Sequence, residues 1–579
     1  MPTSPPSSFL FGPRLAERET EFRIWAPANR QVELQLERVL RIATARYEND
    51  MRHAVAGAGA GAGYAFVIGG ETRVPDPASR RQGGDVADFS VVTDPGSYRW
   101  QRPDWRGRPW EEAVFYELHV GLLDGFAGTA AHLERVARLG FTAIELMPIG
   151  DFPGARNWGY DGVLPFAPDC AYGTPNDLKS LIDRAHGLGL MVFLDVVYNH
   201  FGPDGNFIAA YAPQFFRADI ATPWGQGIDF REPMVRRFFI ENALYWINEF
   251  RFDGLRLDAA HAIRDNGFLM ELAAEVRASI EPGRHVHLVV ENDDNEAALL
   301  RGGYDAQWND DWHHALHVLL TGETGGYYTD YARAPASALA RALAEGFVYQ
   351  GEASMHRDGQ PRGTPSGDLA PTSFVSFLQN HDQIGNRAFG ERLTMLARPN
   401  ALRAAIALQL LAPQIPLVFM GEEAGATAPF LYFTDHRPEL AAKVREGRRN
   451  EFAKFPEFAD PESRARIPDP NAPETFARSR PNFEGPRAAE WNSLYTALLS
   501  IRAKEIVPRL KGTRAIGAEA AADKAVVARW RMGDRAVLTI ATNLGREPVR
   551  AALPKSAPIW GEFAATLPAE TTLAWIEKD

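Results

Sequence analysis

The chain has 579 residues, 45% of them hydrophobic and 23% charged, with a net charge of −12. That length implies two or three globular domains, and the acidic balance argues against nucleic acid, an anionic membrane surface or a polyanionic substrate as the main partner. The single cysteine, Cys170, excludes an intrachain disulfide and a cysteine-based metal cage, as suits a cytoplasmic protein. The N-terminus, MPTSPPSSFLFGPRL, lacks the basic start and apolar core of a signal peptide, and no apolar run is long enough to span a membrane.

In chain order, the first hundred residues carry short β-type runs, EFRIWAP, QVELQLE and YAFVIGG, divided by Gly, Pro and Asn. The AGAGAGAG tract at 56–63 reads as a turn or loop. This predicts an N-terminal β-sandwich resembling a carbohydrate module over 1–104, closing near YRWQRPDWRGRPW. Beyond Glu111 the rhythm changes to apolar strands alternating with amphipathic helices. AVFYELHV, FTAIELMP, MVFLDVV, GLRLD, HLVVE, AQWND, SFVSFLQN and PLVFMGEE are the strands. Continuous apolar runs joined by helices mean a parallel sheet covered on both faces, and eight of them predict a (β/α)₈ TIM barrel over 105–505. Short alternating strands return in AVVARWRM, RAVLTIATN and TTLAWIEK, which predict an antiparallel β domain over 506–579.

A barrel of this kind presents its reactive groups at the C-terminal ends of the strands. Here the third strand ends in DVVYNH, the fourth in GLRLD, the fifth in HLVVE and the seventh in LQNHD, so Asp195, His200, Asp258, Glu291 and Asp382 converge on one rim. Three carboxylates without a metal cage suit glycoside hydrolysis, which needs a general acid for the leaving oxygen and a carboxylate at the anomeric carbon. Arg256 and Asp258, two apart in a strand, point to the same face, so a fixed cation keeps Asp258 ionised as nucleophile. Glu291 is then expected in a less polar setting that lets it hold a proton. Asp195, Asn199 and His200 could alternatively hold calcium, but they fall short of six oxygen ligands; no metal or cofactor is expected. Trp158 and Tyr160, in NWGYDG after the second strand, are candidate sugar-stacking platforms, and Trp224, Trp308 and Trp312 raise the same question.

DVVYNH, GLRLDAAH, VVEND and QNHD resemble, in order and spacing, the four signature regions of the α-amylase superfamily of glycoside hydrolases. The resemblance implies that Asp258 is the nucleophile, Glu291 the acid/base and Asp382 the transition-state stabiliser. It also implies that His200, Arg256 and His381 bind the sugar at the cleavage point with Tyr160 stacked under it. YELHVG, ELMPIGDFPGARNWGYDG, TPWGQGIDF, WNDDWHHALH, MGEEAGATAPFLYFTDH and EGRRNEF are similar to the maltooligosyltrehalose trehalohydrolase branch, and FRIWAP and VPDPASR to its N-terminal domain. The implied reaction hydrolyses the α-1,4 bond next to a terminal trehalose unit. In that branch His261 stands where many amylases have Lys. Asp293, Asp294, His356 and Arg357 are the candidates for holding trehalose. The chain departs from the branch at LLDGFAGT, after YELHVG, and at Ala424, where Trp is commoner.

The nearest alternative is a glycogen branching or debranching enzyme of the same superfamily. A glucan-binding protein without activity is disfavoured by the intact Asp258, Glu291 and Asp382.

Overall fold

The structure is a computed structural model that describes residues 9–578, apart from 18, 30, 38–40 and 223–224. Two antiparallel sheets form the N-terminal part. One runs Arg14–Leu15, Thr20–Trp25, Met51–Ala56 and Ala45–Arg46 in spatial order; the other runs Arg41–Ala43, Val32–Leu36, Gly63–Ile68 and Thr72–Val74, with Ser90–Val91 also pairing on Gly63–Ile68. The strands alternate inward and outward, so Phe22, Ile24, Leu34, Tyr64 and Phe66 are all buried between the sheets. The Gly-Ala tract turns between Met51–Ala56 of one sheet and Gly63–Ile68 of the other, as its composition predicts.

The centre is a closed barrel of eight parallel strands in chain order. They are Phe115–Leu118, Ala143–Leu146, Met191–Val196, Gly254–Leu257, His287–Val290, Ala306–Trp308, Phe374–Ser376 and Ile415–Phe419. Every residue of these strands is buried, which is why they read as unbroken apolar runs. Large rings fill the lower interior: Phe115, Phe193, Trp308 and Phe377 pack there with Ala143, Val289, Val375 and Leu417.

Register decides which side chains meet at the rim. Asp195 is the lateral neighbour of Arg256, and Leu257 that of Val290. Asp258 and Glu291 therefore leave adjacent strands at one level, anchored by Asp258 N–H to the Val196 carbonyl at 3.0 Å and Glu291 N–H to the Leu257 carbonyl at 3.0 Å.

A four-stranded antiparallel sheet, Arg514–Ala522, Ala525–Arg531, Val537–Asn543 and Thr571–Glu577, completes the chain. It docks on barrel helices: Thr572 Oγ1 donates to the Ala404 carbonyl at 2.6 Å and Trp530 Nε1 to the Leu343 carbonyl at 3.2 Å. No helix among the described residues is long and apolar enough to cross a membrane.

Candidate active site

A cavity of about 1040 Å³ opens over the C-terminal ends of the strands. Asp258, Glu291 and Asp382 all line it, with Trp158, Tyr160, His200, His261 and Asp294. The helix Pro438–Phe452 supplies another wall through Lys443, Val444, Arg448 and Glu451. Arg448 fixes this helix by donating to the Gly385 and Arg387 carbonyls at 2.7 and 3.0 Å. Ile220 and Thr222 line it from a two-stranded ribbon; Trp224, in the same segment, lies outside the described residues.

Arg256 organises the floor. It is wholly buried, with its guanidinium 4.1 Å from the Trp308 ring centre. Nη1 donates to Asp195 Oδ2 at 2.6 Å and to Asp258 Oδ1 at 3.0 Å, while Nη2 lies 2.8 Å from Glu291 Oε2. Burial opposes its charge, yet Asp195 and Glu291 outweigh that and hold it more firmly protonated than a free arginine. The Asp258 and Glu291 side chains keep 13% and 18% of their exposure, so the cation is hidden and the anions face the cavity. Asn199 Nδ2 completes the Asp258 carboxylate by donating to Oδ2 at 2.8 Å.

Between the two carboxylates the backbone is strained. Ala259 has φ +39°, a region that costs a non-glycine residue about 1–3 kcal/mol. That turn aims the Ala259 N–H at Glu291 Oε2, 2.8 Å away. The expected apolar setting for Glu291 is thus corrected: its carboxyl meets a guanidinium and a main-chain amide, because the shared register brings it onto Arg256.

Asp382 comes from the seventh strand's end, on a short helix whose first amides are capped by Asn380. Beside it, His381 Nδ1 lies 2.5 Å from Glu117 Oε1 and Nε2 lies 2.8 Å from the Tyr160 hydroxyl. Burial disfavours charge on His381, but Asp382 and Glu117 overcome it and raise its pKa to about 9. The imidazolium therefore donates to both partners, and Tyr160 in turn donates to Asp195 Oδ2 at 2.5 Å. Burial pushes Asp195 up to about 7 in spite of Arg256 and Tyr160. A polar relay thus runs from Glu117 through His381, Tyr160 and Asp195 to Arg256.

His200 lines the cavity, bonds through Nε2 to the Tyr160 carbonyl at 2.8 Å and meets Asn199 Oδ1 through Nδ1. Asp195, Arg256 and His381 stand behind the cavity wall and act on it through the groups they hold. Asp293 and Arg357 pair beside the cavity at 2.5 Å, with Asp294 at 2.6 Å from Arg357. Tyr160 lies parallel to the His381 ring at 5.2 Å between centres, and Trp158 is stacked on Phe430 at 5.1 Å with only an edge in the cavity. Trp308 and Trp312 are core residues with no open face. His356 lies in the loop beyond, its N–H donating to Asp330 Oδ1 at 2.9 Å, and Ala424 is buried away from the cavity.

Residues 112–220 match the model of the alpha amylase catalytic domain, and 513–575 match a domain of unknown function, DUF3459. A malto-oligosyltrehalose trehalohydrolase from Deinococcus radiodurans is 39% identical over 502 residues, covering 84% of this chain and 82% of its own. The chain belongs to the malto-oligosyltrehalose trehalohydrolase family. A second member of that family, from Saccharolobus solfataricus, is 40% identical over 460 residues, 76% of this chain and 80% of its own. The crystal structure of an alpha-amylase-like protein from Salmonella typhimurium superimposes with a TM-score of 0.93 at 41% identity, over 99% of this chain and 100% of that one. By contrast, a 1,4-alpha-glucan branching enzyme from Vibrio cholerae, 37% identical, matches only 29% of this chain. Trehalohydrolases thus match this chain over most of its length, whereas the branching enzyme matches one segment.

Proposed function

We propose that this protein hydrolyses the α-1,4-glucosidic bond next to the terminal trehalose unit of maltooligosyltrehalose, releasing trehalose and a maltooligosaccharide with retention at the anomeric carbon. The observation that carries the reading is one buried guanidinium ion-paired with both Asp258 and Glu291 on the floor of an open cavity. Asp258, held in place by Arg256 and Asn199, attacks the anomeric carbon while Glu291 gives its proton to the glycosidic oxygen. The Ala259 N–H and the Arg256 cation both meet Glu291 at Oε2, which leaves Oε1 to face the glycosidic oxygen. Once Asp258 is a glycosyl ester its charge is gone, and Arg256 is left with Asp195 and Glu291. That favours the carboxylate, which takes a proton from water as the ester is cleaved. Asp382 stabilises the oxocarbenium-like transition state from the opposite rim. His200 and Tyr160 meet the reacting sugar, while Asp195, Arg256 and His381 position the carboxylates. His261 and Asp294, which line the cavity, with Asp293, Arg357 and Trp158 beside it, form the trehalose side.

On the same reading the chain divides at 104 and 505, with all of the chemistry on the middle unit. The test is the product profile from maltotriosyltrehalose beside maltopentaose and a linear glucan. Free trehalose with far slower attack on the plain glucans is the expected result; branched products, or equal cleavage of all three, would overturn it.

A further inference from the structure

Away from the cavity, the loop after the second barrel strand holds a cluster that the proposed reaction leaves unused. A two-stranded antiparallel ladder, Gly150–Asp151 with Leu164–Pro168, carries Asp151 on one arm and delivers Asp169 and Cys170 from the other. One oxygen of each carboxylate and Cys170 Sγ lie within 4.8 Å of one another, the one such grouping of ligand-type side chains among the described residues.

Asp151 makes the cluster more than a patch of acid. It is 1% exposed, and neither of its oxygens has a hydrogen-bond partner. A carboxylate buried in that state costs several kcal/mol unless a cation compensates it. Its charged neighbours are Asp169, Asp85 and Asp88, with no side-chain cation among the leading groups that act on it, and the Cys170 main-chain amide lies near it but outside hydrogen-bond geometry. Asp169 is also buried, with single amides from Ala171 and Phe152 at 2.8 and 3.1 Å on its two oxygens. Each oxygen keeps a lone pair.

We propose that Asp151, Asp169 and Cys170 bind a divalent first-row transition-metal ion of the zinc type, which pins together the two arms of this loop beside the N-terminal segment around Gly84 and Asp85. The donor set selects the ion. Calcium and magnesium ask for six or more hard oxygens, whereas two carboxylates and a thiolate match zinc or cobalt with three protein ligands and one open position. Tetrahedral zinc with ordinary bonds separates its ligand atoms by roughly 3.3–3.6 Å, so small side-chain rotations close the site. Cys170 is exposed, which gives the ion an entry path. Binding displaces the thiol proton to solvent, leaving a thiolate on the metal.

The N-terminal segment is already at hand. Cys170 Sγ lies 2.9 Å from the Gly84 carbonyl oxygen, and Asp85 Oδ1 accepts from Gly154 N–H at 3.3 Å. The same loop continues into Trp158 and Tyr160, so the ion would brace the wall of the cavity from outside.

The experiment is to strip the full-length protein with a chelator, reload it with Co²⁺, and record metal content, the near-ultraviolet thiolate-to-cobalt band and the thermal midpoint. Wild type should take up one ion per chain with the band present. Cys170→Ser should lose the band, and Asp151→Asn should bind at least about tenfold more weakly. The two proteins should also exchange rank: chelated Asp151→Asn melts above chelated wild type, because an unpaired buried charge is gone, and metal-loaded wild type melts above both. Cys170→Ser, at an exposed position, keeps the test open if Asp151→Asn does not fold. No stoichiometric uptake, an unchanged band in Cys170→Ser, a rank order that does not reverse, or retention of calcium alone would overturn the assignment.

Discussion

Arg256 and Arg502, both wholly buried, stand at opposite ends of the same barrel, and their partners differ in kind. Arg256, at the C-terminal end, meets the carboxylates of Asp195, Asp258 and Glu291. Arg502, at the N-terminal end, donates to the carbonyls of Leu410, Ala412 and Gln414 at 3.1, 2.7 and 2.8 Å. Those carbonyls close a helix and lead into the eighth strand, so Arg502 ties off main-chain groups that nothing else would satisfy. No counter-charge faces it, and burial draws its pKa down to about 9. Arg256 instead carries more anion than it can neutralise. The surplus faces open space, where a developing positive charge on a sugar would be met. Burial of a charge is common to both ends; an excess of opposite charge beside a cavity marks the working one.

The comparison breaks most directly at the carboxylates. Asp258→Asn should abolish turnover, and Glu291→Gln should lower kcat about a hundred- to ten-thousandfold, with melting unchanged in both. Near-wild-type rates in either variant would refute the assignment. Replacing each arginine by Met sharpens the contrast. Arg256→Met should lose activity and about 3–5 kcal/mol of stability, since buried carboxylates are left uncompensated. Arg502→Met should lose about 1–3 kcal/mol for each carbonyl it orphans while kcat/KM stays at the wild-type value; a fall in kcat/KM at unchanged Tm would erase the distinction.

A smaller effect concerns pH. With its folded pKa raised to about 9, the His381 imidazolium contributes stability that is complete below its unfolded value near 6.5 and is lost as pH climbs through 9. Activity should fall on the same limb, and Glu117→Gln should move that limb to lower pH; an unmoved profile would detach the relay from the site. Smallest is His261→Ala, expected to reduce preference for the trehalose-ended substrate about tenfold with little change on plain glucans. Equal losses on both would make His261 a general binding residue.

The barrel, its rim and the convergence of Asp258, Glu291 and Asp382 were legible because strands buried on both faces cannot carry a charge cheaply, so each charge that interrupts a run announces itself. What stayed hidden depends on closure. Glu117 belongs to the first strand and pairs with His381 of the seventh, 264 positions away, and nothing local marks it. Arg362 is similar: it joins Asp293 at 2.8 Å to the buried Asp311 at 3.0 Å from within a loop. The aromatics misled where polar neighbours suggested a surface. In WNDDWHHALH those neighbours turn inward, Asn309 to the Gly346 carbonyl and Asp311 to Tyr331 and Arg362, so Trp308 and Trp312 are buried with them. Asp151 and Asp169, eighteen positions apart, are brought together only by the ladder of Gly150–Asp151 with Leu164–Pro168.

The lateral pairing of Leu257 with Val290 has a consequence for stereochemistry. Neighbouring strands run about 4.8 Å apart, and a double displacement asks for carboxyls about 5–5.5 Å apart, against about 6.5–9.5 Å when a water must fit between them. Two acids projecting at one level from adjacent strands are therefore held near the shorter interval by main-chain hydrogen bonding itself. Loops around the rim can be rebuilt to admit a different sugar without touching that interval. Substrate choice is free to drift, while the configuration of the product is inherited from the spacing of the sheet.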